Sequence, residues 1–177
     1  MFNINNLNKG NYGEGLVDQI LIKKGIIPYK PVVNRAHPFD RLCATSDKKT
    51  LFIAEVKTKA RRNWWPDTGF NYSHYLGYRE IQEKHRLDIV IFFVDEGMGK
   101  IYGGKLSRIA QEHDVVWKGK IVNYPKKEKR IIYFPLEIMT TYADLTFEDI
   151  ELLKQSSSRS YNYELTTQSK MQFVTQL

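Results

Sequence analysis

The chain has 177 residues, 42% of them hydrophobic, which suffices for one domain with a substantial core and is short for two. Its formal charge of +7 and isoelectric point near 9.3 favour an anionic partner, with nucleic acid the leading candidate. The longest apolar run, IVIFFV, is too short to span a bilayer, and the first residues lack the apolar core of a signal peptide. Cys43, the single cysteine, cannot form an internal disulfide. We therefore expect a cytoplasmic protein without a membrane partner, either bacterial or phage-encoded and acting in the host cytoplasm.

The first third of the chain predicts a helix followed by up to three antiparallel strands. Apolar residues recur at helical spacing in NYGEGLVDQILIKKG, and Gly25 is well suited to end this helix. The turn-forming SDKKT predicts a hairpin between the last two of the three strands. The three predicted strands are YKPVVN, PFDRLCATS and LFIAEVKTK.

A loop, a second helix and a buried strand are predicted next. Proline, aspartate and glycine make NWWPDTGFNY a loop, after which Ser73 can cap a helix through HYLGYREIQEKHR. The run IVIFFV has the length and β-branched content of a strand buried on both faces. This order places a crossover helix before a central strand.

The remainder predicts further strands and a late helix. Strands are expected at GKIYGG, VVWKGKIVNY and RIIYFPL, a short helix at SRIAQE and a charged hairpin tip at PKKEKR. Thr146 and Asp149 are suited to cap a helix over TFEDIELLKQ. We assign residues 1–155 to a single domain and 156–177 to a polar, weakly patterned tail.

Charged side chains end the apolar strand LFIAEVKTK. Its alternation places Glu55 and Lys57 on one face, and a hairpin that turns at residues 47–49 brings Asp40 roughly opposite Val56. Two carboxylates and a lysine then converge at one end of a sheet. The alternative is a surface ion pair between Glu55 and Lys57, which explains neither Asp40 nor the apolar neighbours.

This convergence suits metal-assisted hydrolysis of a phosphodiester. Asp40, Glu55 and the Val56 carbonyl offer hard oxygen ligands to Mg²⁺, and Mn²⁺ can substitute for it. Lys57 faces the same way and can orient the attacking water or stabilise charge on the phosphoryl oxygens.

The residues FD at 39–40 and EVK at 55–57, one hairpin apart, resemble the PD-(D/E)XK nuclease superfamily over roughly residues 12–95. Pro38 is separated from Asp40 by Phe39, so the PD dipeptide itself is absent. The resemblance implies a restriction-endonuclease-like α/β core of order α-β-β-β-α-β, a mixed sheet flanked by helices, with additional C-terminal strands and a helix. It also implies a Mg²⁺-dependent endo- or exodeoxyribonuclease, often acting as a homodimer.

The resemblance suggests supporting residues on both helices. Glu14 stands where many members carry an additional acidic residue, which assigns it to catalysis and to the metal; alternatively it only favours the dipole of a helix that begins after Asn11. Tyr78 and Gln82 resemble a polar pair that some members turn toward the active site. The stripe of Tyr75 and Tyr78 equally suits core packing.

The segment KTKARRNWW suggests a nucleic-acid contact beside the strand end. Cations there can bind phosphates, tryptophans can stack on bases, and the start of the crossover helix can reach substrate. The alternative is a solvated cationic loop anchored by buried tryptophans. The candidate nucleic-acid-binding residues are Lys59, Arg61, Arg62, Trp64, Trp65, His74 and Tyr78.

Other functional patterns are weaker. GKIYGGKL nearly fits a phosphate-binding loop, but Leu106 stands where a hydroxyl is needed to reach Mg²⁺. The four histidines lack ligand spacing with one another or with Cys43. Two rival functions stay open: a non-catalytic nucleic-acid-binding or inhibitory module on the same fold, and a ribonuclease or activator-dependent nuclease, since the same chemistry can act on RNA.

Overall fold

The computed structural model describes residues 4–32, 37–47, 49–62, 65–117, 121–124 and 129–156. Four helices and nine strands are assigned in these ranges, with one 3-10 turn at Leu136–Ile138. In chain order they are α1 (Ile4–Lys23), β1 (Ile26–Tyr29), β2 (Arg41–Thr45), β3 (Leu51–Thr58), β4 (Asp67–Asn71), α2 (Tyr72–His85), β5 (Asp88–Asp95), β6 (Lys100–Lys105), α3 (Leu106–Trp117), β7 (Ile121–Tyr124), β8 (Lys129–Pro135), β9 (Thr140–Asp144) and α4 (Phe147–Gln155).

A six-stranded mixed sheet forms the centre, in the order β1-β2-β3-β5-β6-β9. β3 and β5 pair in parallel through the α2 crossover, and the other neighbours are antiparallel. With β4 inserted before α2, this is the predicted restriction-endonuclease-like α/β fold. The predicted β2–β3 hairpin is confirmed, and its register pairs Arg41 with Ala54, one position from the expected pairing.

A second sheet of three strands, β4-β8-β7, includes residues 67–71 of the segment NWWPDTGFNY, for which a loop was predicted. Gly69 reads as a turn residue in the sequence, but here a Cβ on it would lie 2.0 Å from the Ile132 carbonyl oxygen of β8. The glycine therefore permits two strands to approach closely, and the prediction of a loop was wrong for residues 67–71.

The helix α1 begins at Ile4, earlier than the predicted start near Asn11. A Cβ on Gly13 would lie 2.0 Å from Thr58 Oγ1, so this glycine lets α1 rest directly against β3. The first strand also lies earlier than predicted, at Ile26–Tyr29 rather than YKPVVN, and Pro28 stands within this edge strand.

The later helices follow their predicted positions with different ends. Asn71, and not Ser73, occupies the N-cap of α2 because β4 runs directly into the helix. The capping box of Thr146 and Asp149 in α4 is confirmed. α3 runs on to Trp117 and takes up the start of the predicted strand VVWKGKIVNY, which is reduced to β7. β9 was not predicted, and most of PKKEKR and of the tail lies outside the described residues.

Both faces of the central strands β3 and β5 are buried, as predicted for IVIFFV. On one face Ile53 and Phe93 pack with Tyr78 of α2, and on the other Phe52 and Phe92 belong to the cluster that includes the apolar stripe of α1. GKIYGG forms β6, consistent with its reading as a strand. No described helix is both long and apolar enough to cross a membrane.

Candidate active site

Glu55 and Lys57 lie near the carboxyl end of β3, on the face that packs against α2. Strand alternation gives them the same face as Ile53, whose side chain is in the core with Tyr78. Glu55 is only 4% exposed, so this carboxylate stands inside the protein and not on a solvated sheet edge. A surface ion pair does not describe it.

One oxygen of Glu55 is the centre of a small hydrogen-bond network. Its Oε1 accepts from Lys57 Nζ at 2.5 Å and from the Tyr78 hydroxyl at 2.6 Å, and Lys57 Nζ also reaches that hydroxyl at 3.1 Å. The second oxygen, Oε2, is buried and has no hydrogen-bond partner in the described part of the chain. A buried carboxylate oxygen without a donor is costly unless a cation or water satisfies it.

Asp40 stands beside this network, just before β2. Its Oδ2 accepts from the Val56 main-chain N–H at 2.7 Å. Burial, and then the charge of Glu55, raise the pKa of Asp40 to about 6, although the Val56 hydrogen bond acts in the opposite direction. The structure thus brings together two carboxylates that repel each other in a poorly solvated setting.

Asp40, Glu55 and the Val56 carbonyl fit a divalent cation. In an antiparallel pair a residue directs its N–H and C=O toward the same neighbour, so the Val56 carbonyl points to the side where Asp40 lies. Mg²⁺ takes one or two protein carboxylates and keeps waters in its remaining positions. Among the described residues no group of three or more histidine, cysteine, aspartate or glutamate side chains is arranged to hold a metal, so this pair would need water or substrate oxygens as well.

Glu14 is held by cations. Its Oε2 accepts from Arg41 Nη1 at 3.0 Å and from Lys30 Nζ at 3.1 Å, and Arg41 also pairs with Asp18. Glu14 still contributes to the raised pKa of Asp40. It lies well inside α1, so its alternative role at the helix start was wrong, and its role as a metal ligand stays a prediction.

The predicted stripe on α2 divides between site and core. Tyr78 bonds to Glu55, and its own pKa is raised by burial and by the charge of that carboxylate. Gln82, one turn later, is half-buried and does not line the cavity beside Glu55. Tyr75 instead packs in the core against Phe134 and Tyr72.

An open cavity of about 290 Å³ lies over Glu55 and Lys57. The first two turns of α2 form one wall, and the segment before β2 forms another. His74 was expected here, and burial together with the Lys57 charge lowers its pKa. His37 was missed, although its position three residues before Asp40 was a usable signal. The lining residues are His37, Pro38, Glu55, Lys57, Ser73, His74, Gly77, Tyr78 and Ile81.

The cationic side chains of Lys59 and Arg62, which follow β3, have intramolecular partners. Lys59 Nζ donates to the Gly69 carbonyl at 2.6 Å, and Arg62 pairs with the fully buried Asp67 while its guanidinium lies 3.8 Å from the Tyr133 ring centre. The Arg61 main-chain N–H donates to Asp95. Lys59 and Arg62 therefore tie β3 to the second sheet, and the phosphate-binding role of all three stays a prediction.

The predicted tryptophan platform is described in part. Trp65 is 50% exposed and lies 5.8 Å from the Arg62 guanidinium, measured to the ring centre, while Trp64 is outside the described residues. An exposed indole beside a cation is available for stacking, and burial of Trp65 in the core is not what the structure has.

Comparison with known proteins adds little beyond the fold. No family model matches the chain, and no curated protein matches it. Among solved structures it is similar to Hjc from Archaeoglobus fulgidus, a Holliday junction resolvase from an archaeal hyperthermophile, with a TM-score of 0.49 and 9% identity over 73% of this chain and 90% of that chain.

Proposed function

We propose that this protein is a divalent-metal-dependent nuclease that hydrolyses phosphodiester bonds in DNA. The observation that carries the proposal is Glu55, buried at the end of the central strand with Oε1 held by Lys57 and Tyr78 and Oε2 without a partner among the described residues. Asp40 beside it supplies the second carboxylate. Carboxylates kept close together in a poorly solvated site suit a function in which a cation joins them.

Asp40, Glu55 and the Val56 carbonyl would hold Mg²⁺ or Mn²⁺. When bound, the cation supplies polarisation of the phosphate and acidification of the attacking water. The protein's own part is to keep both carboxylates in place, through the Val56 N–H on Asp40 and the Tyr78 hydroxyl on Glu55. Both ligand side chains are therefore oriented before the cation arrives.

Lys57 would act on the substrate. Its ammonium lines the cavity next to Glu55, where it can stabilise the charge that builds on the phosphoryl oxygens. The cavity is open to solvent, which gives a phosphate access to this ammonium. The net charge of +7 favours the approach of a polyanion such as DNA.

The test is cleavage of supercoiled, linear, single-stranded and branched DNA with Mg²⁺ or Mn²⁺, with EDTA as the metal-free control. Glu55→Gln keeps the side-chain volume and removes the charge, and we expect it to abolish cutting. Glu83→Gln, on the exposed face of α2, is the matched control and should cut normally. If no DNA is cut while salt-sensitive binding persists, the protein is a binding module and the proposal fails.

A further inference from the structure

The hydrolysis proposed above needs a proton acceptor, because an attacking water must lose a proton as its oxygen bonds to phosphorus. This inference rests on the proposed function. Lys57 cannot serve, since its ammonium is in an ion pair with Glu55. The Tyr78 hydroxyl already donates its proton to Glu55, and burial raises the pKa of that phenol. The carboxylates Asp40 and Glu55 would bind the cation.

Among the described residues that line the cavity, three polar side chains remain: His37, Ser73 and His74. A serine hydroxyl is a poor base near neutral pH. The Nδ1 of His37 lies 3.0 Å from the Phe39 carbonyl oxygen, which leaves only its Nε2 as an acceptor, and the His37 ring packs edge-on against the Phe39 ring at 4.3 Å between centroids. His74 has no hydrogen-bond partner in the described ranges, and its ring meets Tyr78 edge-on at 6.3 Å between centroids.

The position of His74 links it to both the site and solvent. It stands in the first turn of α2, one turn before Tyr78, and the charges of Lys57 and Glu55 both act on it. The side chain is partly exposed at the cavity. A base placed in this way can take a proton from the cavity and release it to bulk water.

We propose that the imidazole of His74 accepts the proton of the attacking water. The water O–H bond breaks and its proton passes to the ring nitrogen, while the oxygen forms the new bond to phosphorus. The bond from phosphorus to the leaving oxygen breaks with its electron pair, and that oxygen takes a proton from solvent. The imidazolium then returns its proton to solvent, so no oxidant, reductant or further reactant is required.

The electrostatics of the cavity support this role. Burial and the Lys57 ammonium lower the pKa of His74, and Glu55 opposes them with a smaller effect. A pKa below the ordinary value of about 6.5 favours the neutral imidazole, which can accept a proton, near neutral pH. Within the described part of the chain, the charged or titratable groups that act on it are Lys57 and Glu55 of β3, with Tyr78 beside it on α2.

The test compares His74→Ala with wild type over pH 5 to 9, with Mn²⁺ saturating at each pH and single-turnover rates measured. We expect a loss of about 100-fold near neutral pH, in the range usual for a general base. The decline of the rate toward acid pH should disappear, and added imidazole should restore much of the activity. DNA affinity in EDTA should stay within twofold of wild type.

Two controls sharpen the result. His85→Ala removes an exposed histidine from the last turn of the same helix and should leave rate and pH profile unchanged. Lys57→Ala should lose activity that imidazole does not restore. If His74→Ala keeps the wild-type rate, or loses rate without imidazole rescue and with the acidic decline intact, the proposal is overturned. Failure of the nuclease proposal itself is distinct, since wild type would then cut no DNA.

Discussion

Tyr78 donates a hydrogen bond from its hydroxyl to Oε1 of Glu55 at 2.6 Å, and so ties the crossover helix to the end of the central strand. Because the bond is buried and its acceptor is charged, Tyr78→Phe should lower the free energy of unfolding by about 1.5–3 kcal/mol. Urea denaturation measures this change in the free energy of unfolding. Tyr29→Phe, at an exposed position, is the control and should change stability little. Equal stabilities of Tyr78→Phe and wild type would contradict this assignment.

Lys57→Ala should reduce the cleavage rate by about 10²–10³-fold, the cost usual for loss of one group that stabilises developing charge. Affinity for DNA should change far less, because one ammonium is a small part of a basic surface. Single-turnover kinetics and binding in EDTA separate the two effects. Lys105→Ala is a matched control, since this lysine pairs with Asp88 at the surface. Full cleavage by Lys57→Ala would remove the role assigned to it.

The raised pKa of Asp40 makes the stability of the metal-free protein depend on pH. The folded protein holds this proton up to a pKa of about 6, against 3.8 ordinarily, so it binds more protons than the unfolded chain between these values. The free energy of unfolding therefore falls as pH rises from about 4 to about 6. Asp40→Asn should lose this contribution. Thermal denaturation of wild type and Asp40→Asn in EDTA, repeated across this pH range, measures the difference in stability. If the melting temperatures of the two proteins changed with pH in parallel, the pKa of Asp40 would not be raised.

Added Mg²⁺ should reverse this trend, because it binds ionised carboxylates and stabilises the state that binds it. The melting temperature of wild type should then rise with Mg²⁺ more at pH 7 than at pH 5. The melting temperature of Asp40→Asn should change little with Mg²⁺ at either pH.

Gly13→Ala should destabilise the protein by about 1–3 kcal/mol, the range for overpacking, because the new Cβ would meet Thr58 at 2.0 Å and push α1 from β3. Gly10→Ala in the same helix is the control. Nothing lies within 4 Å of a Cβ at that position, so alanine should stabilise the helix by about 0.4–1 kcal/mol. In thermal denaturation we expect the melting temperature to fall for Gly13→Ala and to rise for Gly10→Ala. If both substitutions raised it, α1 would not rest on Thr58.

Glu14→Gln tests whether this residue binds the metal or only Arg41. Since the carboxylate accepts from Arg41 and Lys30, we expect a loss of about 1–3 kcal/mol in stability and a metal affinity within twofold of wild type. Calorimetric titration with Mn²⁺ measures the metal affinity, and urea denaturation measures the free energy of unfolding. A tenfold weaker metal affinity at unchanged stability would instead support the ligand role that the family resemblance implies.

The convergence of Asp40, Glu55 and Lys57 could be predicted because it depends on local rules. A turn signal sets the β2–β3 hairpin, and alternation along one strand gives Glu55 and Lys57 a common face. An error of one residue in register did not matter, since the Asp40 side chain still reaches the Val56 N–H. The crossover helix and the buried strand β5 likewise follow from periodicity within a single segment.

The second sheet could not be predicted in this way. The partner of β4 is β8, more than sixty residues later, and Gly69 is required by contact with that distant strand. The partners of Arg62 could not be predicted for the same reason, since they depend on strands that are distant in the sequence. Only the folded sheet brings Asp67 and the Tyr133 ring next to the Arg62 guanidinium. Side chains that look like free surface cations in a sequence can thus be structural.

Pro28 bears on how copies of this protein meet. It stands in β1, an edge of the six-stranded sheet, where a proline is tolerated because the N–H that it lacks would face away from the ladder. The outer side of β1 consequently offers one N–H donor fewer to an incoming strand. This discourages edge-to-edge pairing of strands from further copies, which leads to aggregation. A homodimer that continued the sheet through this edge would be interrupted at Pro28, so a pair of active sites would have to be brought together through another surface.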